Sequence, residues 1–430
     1  MRNVQHYLRP VRYRKHEPGA SSASLHACTL VSKCWYELSR RHKFAIVKVT
    51  DRNGRFEGFF SFCYAQPDVV THIRELTFVG GGERMVDWGV KPFVFRYEAF
   101  MWILPSLKSL RKLTFRDVEV LGELGLHGAP VAARAPLACI DVLEYRLGHV
   151  QAGPHFLMVL SSLLSVTSVG TLKISGQVHR RGVDVGVRSL VSLRRLVLLE
   201  VDFLGEHVGF LERILAPGTL RSVTIQCNRI GASRPQSRAL SRFLSSDVAR
   251  NLISIDLDLG EGVKPDDIPE FTRPMLGAAL AACTQLMYLR LGIFGWYHSS
   301  YGFGESEFYI PMPQPPMLVP LLTTLPPTFR ILVLRLRVRC SEVGDWWADC
   351  VPYWDLDKLD DIFAPRTGRF PNLENIIFDV HPDEGNCCVK TVEEYDAPLL
   401  PELQAAGMLR TRIVREPWMR ALGYPFHCQA

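Results

Sequence analysis

The sequence predicts an irregular α/β solenoid, built from about ten short parallel strands with helices along the outside. Three observations predict it. The stretch LRSVTIQCNRI, Leu220 to Ile230, is apolar at positions one, four, six and eleven and has asparagine at position nine. Its six-residue core, apolar-x-x-apolar-x-apolar, occurs ten times, with successive starts 24 to 44 residues apart. Apolar segments of helical length fall between the cores.

The spacing is that of a leucine-rich repeat. One such unit cannot fold alone, because its alternating apolar residues lie on one face of a short strand and need a similar strand on each side. The cores are IRELTF (73–78), LRKLTF (110–115), IDVLEY (140–145), VGTLKI (169–174) and LRRLVL (193–198). They continue as LRSVTI (220–225), LISIDL (252–257), LMYLRL (286–291), FRILVL (329–334) and LENIIF (373–378).

Taken in order, residues 1–23 read as a basic, poorly ordered tail. The segment 24–50 reads as a small helical unit and its exit strand. Leu25, Cys28, Val31 and Trp35 share one helix face, Ser24 is placed to cap it, and FAIVKV (44–49) alternates as an edge strand. Residues 51–430 form the repeat body. PHFLMVLSSLLSV (154–166), HVGFLERIL (207–215), SRALSRFLSS (237–246) and FTRPMLGAALAAC (271–283) are predicted to pack behind the strands. A short helix and a last strand within 398–414 are predicted to cap the C-terminal end.

The string L-x-x-C-x-L-V-S-K-x-W from Leu25 to Trp35, followed by Arg40-Arg41-His42-x-Phe44, resembles the second half of an F-box. The resemblance is to the F-box proteins with leucine-rich repeats, especially the fungal ones. It implies an F-box-like unit docking on the Skp adaptor of an SCF ubiquitin ligase, with Leu30, Val31 and Trp35 as hydrophobic docking positions. It also implies that the repeat body holds a protein substrate and does no chemistry itself.

Charge is unevenly placed. The first 50 residues carry ten Lys/Arg against two Glu, whereas the whole chain is only +6. The basic head reads either as a nucleic-acid arm or as a solvated end, with the nucleic-acid reading ranked lower because few aromatic or base-reading groups interleave with the charges. No run of 18 uncharged apolar residues suggests a membrane span, and Val4 to Ala20 lacks the apolar core of a secretory signal. Eleven cysteines without a C-x-x-C pair fit reduced thiols and a cytoplasmic or nuclear location. Cys139, Cys227 and Cys340 are expected to pack in or beside strands.

No phosphate loop, zinc helix or nucleophile elbow is found, so neither a cofactor nor a catalytic residue is assigned. Asp355, Asp357, Asp360 and Asp361 read as a Mg²⁺ cluster or as a solvated helix start, the latter favoured by Lys358 among them. HPDEG (381–385) reads as a turn, and His207 as a structural histidine.

The substrate surface is expected on the open face of the strands. In each core the residues after the fourth and sixth positions should point there. Asp256, Asp258, Arg290, Arg335 and Arg337 are then binding candidates, with opposite charges meeting as Glu144–Lys173, Asp256–Arg290 and Arg335–Asp379. The face should turn from acidic to basic at Arg335. Two long inter-repeat segments, 292–317 and 335–363, offer Trp296, Tyr297, Tyr301, Trp346 and Trp347 as partner anchors or as plugs of wider coils.

Overall fold

The computed structural model describes residues 39–50, 55–80, 94–121, 138–152, 156–178, 190–199, 204–226, 234–258, 272–294, 318–338, 355–382, 391–395 and 398–414. The main strands follow one another in chain order in an all-parallel, twelve-stranded sheet with helices interleaved. The chain divides into two compact units, Met1–Ala216 and Pro217–Ala430.

The first unit runs β1 (Ile46–Thr50), α1 (Arg55–Ala65), α2 (Pro67–Val70), β2 (Glu75–Val79), β3 (Val94–Arg96) and α3 (Tyr97–Ile103). It continues β4 (Lys112–Arg116), β5 (Glu119–Leu121), β6 (Ala138–Ala152), α4 (Phe156–Val166), β7 (Thr167–Val178), β8 (Arg195–Leu199) and α5 (Leu204–Ile214). Strands β3 and β5 pair separately as a two-stranded parallel sheet. The second unit runs β9 (Ser222–Gln226), α6 (Arg234–Leu244), β10 (Ser254–Asp258), α7 (Thr272–Ala282), β11 (Tyr288–Phe294) and α8 (Leu318–Leu322). It ends β12 (Ile331–Val338), α9 (Leu359–Phe363), β13 (Asn375–Pro382), α10 (Pro401–Ala405) and β14 (Leu409–Ile413).

All ten cores lie on strands, and the fourth and sixth residues of each are buried, from Leu76 and Phe78 in β2 to Ile376 and Phe378 in β13. Register is locked by a recurring backbone device. The carbonyl of the second core residue accepts two N–H groups from the next repeat: Arg74 from Arg111 and Lys112, Ile253 from Met287 and Tyr288, and Met287 from Arg330 and Ile331. Each turn entering a strand therefore has its donors satisfied by the preceding rung.

The two cores differ in filling. In the first unit Phe78 lies within 4.8–6.2 Å, ring centre to ring centre, of Phe56, Phe59, Phe60, Phe95, Phe100 and Phe115. Phe115 in turn stacks on Tyr145 at 4.7 Å. In the second unit the matching positions in β9 to β11 are aliphatic (Val223, Ile225, Ile255, Leu257, Leu289 and Leu291), and all are fully buried. At Gly80 a side chain is impossible, since a Cβ would stand 1.8 Å from the Asp117 carbonyl oxygen.

Three expectations are corrected here. HPDEG does not begin as a turn: His381 and Pro382 continue β13, where pairing with β12 extends the ladder, and His381 is buried. Cys139 is exposed, because it precedes the inward-facing Ile140 at the start of β6. Strands β6 and β7 also outrun their cores, since backbone pairing continues past the buried half up to an irregularity between Leu147 and Ala152. Cys227 and Cys340 lie outside the described residues.

Candidate interaction surface

With the fourth and sixth core residues buried against the helices, strand alternation sends the third, fifth and seventh to the other face. Parallel pairing puts these in rows. In the second unit the fifth-position row reads Thr224, Asp256, Arg290, Val333, Ile377 and Arg410. The seventh-position row reads Gln226, Asp258, Gly292, Arg335, Asp379 and Arg412. The register is the expected one from β9 to β13, and Asp256 stands beside Arg290.

The ion pairs in this register are only partly those expected. Arg290 meets Asp256 at 3.6 Å, as anticipated, but also Asp379 at 3.6 Å. Arg335 reaches back to Asp256 at 3.7 Å and Asp258 at 3.9 Å. Asp379 is held by Arg412, whose Nε and Nη2 donate to its two carboxylate oxygens at 2.6 and 2.8 Å. Three aspartates and three arginines thus form one diagonal network. Its carboxylates are only 6–16% exposed, and Arg335 only 11%.

Gly292 makes the diagonal possible. It stands between Asp258 and Arg335 in the seventh-position row, and a Cβ there would lie 2.9 Å from Asp258 Oδ1. The missing side chain leaves a lane through which Asp258 and Arg335 meet across a rung. Next to the network, the buried His381 imidazole is pushed down to about 4, first by burial and then by the Arg335 charge, with Asp379 opposing. Beside this many arginines the ring stays neutral at pH 7.

The first unit carries a different face. Its fifth-position row is Lys48, Thr77, Thr114, Glu144, Lys173 and Val197, and its seventh is Thr50, Val79, Arg116, Arg146, Ser175 and Leu199. Glu144 and Lys173 are rung neighbours, but the Glu144 carboxylate turns to Arg146 at 2.6 Å and Lys112 at 3.9 Å and accepts from Thr114 at 3.5 Å. Glu144 is 7% exposed, whereas Lys112 and Arg146 keep 41% and 50% of their side chains in water.

The acidic run divides its work. Asp360 is buried and accepts the N–H groups of Glu402 and Leu403, capping α10 from another segment, while Asp361 meets Arg366 and Asp357 meets Lys358. Among the described residues no group of three His, Cys, Asp or Glu could hold a metal ion, and no helix is long and apolar enough to cross a membrane. His207 is buried in α5.

Leu30, Val31, Trp35, Trp296, Tyr297, Tyr301, Trp346 and Trp347 lie outside the described residues. Arg337 is on β12, in register with Phe294 and His381. Arg412, Lys48 and the third-position Lys112 are not among the residues that the ten cores single out from the sequence. Arg412 escaped because β14 has Thr411 where the core pattern requires an apolar residue in line with Phe378. Lys48 escaped because β1, the edge strand that the alternation predicts, carries no numbered core, although Val47 and Val49 align with Leu76 and Phe78. Comparison with known family models and with curated proteins finds no match to this chain.

Proposed function

We propose that this chain is a non-enzymatic protein-interaction receptor, resembling the substrate-recognition subunit of an SCF ubiquitin ligase. The sheet face takes the substrate, and the head within 24–50 docks the Skp adaptor. The observation that carries the receptor half is the face opposite the helices, where polar and charged side chains from successive strands stand in register. A ladder of this kind offers a long, stiff array of side-chain positions to an extended partner. The adaptor half rests on the resemblance of Leu25 to Trp35 to an F-box.

The test is recovery of a Skp adaptor by the full chain and by a chain beginning at residue 51. Recovery that requires the head supports the receptor. Failure of both to recover it favours a leucine-rich-repeat scaffold that no longer docks the adaptor. One observation favours that alternative: residues 11–23, VRYRKHEPGASSA, stand where the family carries a Leu/Ile-rich first helix.

A further inference from the structure

We infer that the sheet face of the first unit binds an extended, carboxylate-rich segment of a protein partner. Across β1 to β8 the third, fifth and seventh rows hold six cations: Lys48, Lys112, Arg116, Arg146, Lys173 and Arg195. The same rows hold two carboxylates, Glu75 and Glu144. Glu144 is shared between Lys112 and Arg146, so it fixes their direction without cancelling both. Arg116 meets Asp117 at 3.4 Å, just beyond its strand, and stays 44% exposed.

Lys48, Lys173 and Arg195 carry the inference. Among the described residues none of the three has an ion-pair partner, and Lys48 and Arg195 are exposed. Between them stand small or hydroxyl-bearing residues, Thr77, Thr114, Thr171 and Ser175, so a partner backbone can come close to the sheet. Lys48 and Lys173 are four rungs apart, about 19 Å at the usual strand spacing, which about six residues of extended chain would span. An acidic chain crossing the strands therefore meets a cation near each end and the Lys112–Arg146 pair between. The second unit has a smaller surplus, because Arg290, Arg335 and Arg412 are engaged by Asp256, Asp258 and Asp379, which leaves Arg410 as the exposed cation of these rows. Sequence charge agrees: the first unit has 29 Lys/Arg against 19 Asp/Glu, the second 21 against 25.

This inference names the partner chemistry of the receptor's sheet face and rests on that reading only for the choice of face. The test is fluorescence anisotropy of the full chain with a labelled peptide of about ten alternating Asp and Glu residues. An Asn/Gln peptide of equal length and a single-stranded oligonucleotide of equal charge are the controls. The acidic peptide is expected to bind at 50 mM salt and to weaken by roughly tenfold or more at 300 mM. Lys48→Glu with Lys173→Glu should weaken it by at least roughly tenfold, and Lys48→Gln with Lys173→Gln by less. Lys358→Glu, on the second unit, should leave it unchanged; circular dichroism checks folding of each variant. Equal binding of the neutral peptide, indifference to the two lysines, an equal loss in the Lys358 variant, or preference for the oligonucleotide would each overturn the inference. Because adaptor recovery is read on the head alone, its success with failure of the peptide assay would overturn only the acidic partner.

Discussion

The face of β9 to β14 and the face of β1 to β8 are made by the same rule and end in opposite electrostatic states. In the second unit three aspartates and three arginines form ion pairs that each span one or two rungs, and the carboxylates are nearly sealed from water. In the first, one buried glutamate holds two half-exposed cations while Lys48, Lys173 and Arg195 remain in excess. The difference teaches that row position alone does not make a charged residue available to a partner. Availability depends on the count of opposite charges within side-chain reach, and on whether the lane between them is clear. A balanced set pays desolvation once and closes on itself, and an unbalanced set stays open.

The largest effect is expected where the closed face is broken. Asp379→Ala removes the carboxylate that holds Arg412 and leaves Arg290 with Asp256 alone, and should cost roughly 3 kcal/mol, measured as the shift in urea midpoint. A cost no greater than that of Lys173→Ala would show that the network does not hold this unit together.

Next comes Gly292→Ala. Its Cβ must displace the Asp258 carboxylate, at a cost of about 1–3 kcal/mol. If the lane is the reason, the penalty should shrink in an Asp258→Ala background, and a double-mutant cycle reads that coupling directly. An additive result would separate the glycine from the ion pair.

His381 supplies an acid test of the same face. Its folded-state value of about 4 lies below the ordinary 6.5, so the folded protein takes up fewer protons than the unfolded chain between these values. The contribution is complete above pH 6.5 and is lost as pH falls towards 4. Thermal midpoints from pH 7 to 4 should fall less steeply for His381→Asn than for the unaltered chain. Parallel profiles would remove this histidine from the acid response.

The smallest effect belongs to the open face. Lys48→Gln with Lys173→Gln should change stability by no more than about 0.5 kcal/mol, because neither lysine holds a carboxylate of the described fold. A loss of several kcal/mol would mean that these cations are structural and would erase the contrast between the two faces.

The sequence by itself determined the repeat cores, the parallel order and the register. These follow from periodicity: apolar side chains two residues apart must share a face, and a slip of one residue would put Phe78 or Leu257 into water. It also determined that Asp256 and Arg290 would be neighbours, since register converts core position directly into adjacency. It did not reach β14 as a numbered rung, because Thr411 interrupts the apolar spacing while backbone pairing with β13 continues regardless. The tertiary structure alone decided which partner each charge takes. Glu144 turns along its own strand to Arg146, and Arg335 crosses Gly292 to Asp258, because long side chains reach beyond the nearest rung and settle where opposite charge and free space coincide. A linear pattern records which residues are neighbours, but not the space between them or the competition among their neighbours for one carboxylate.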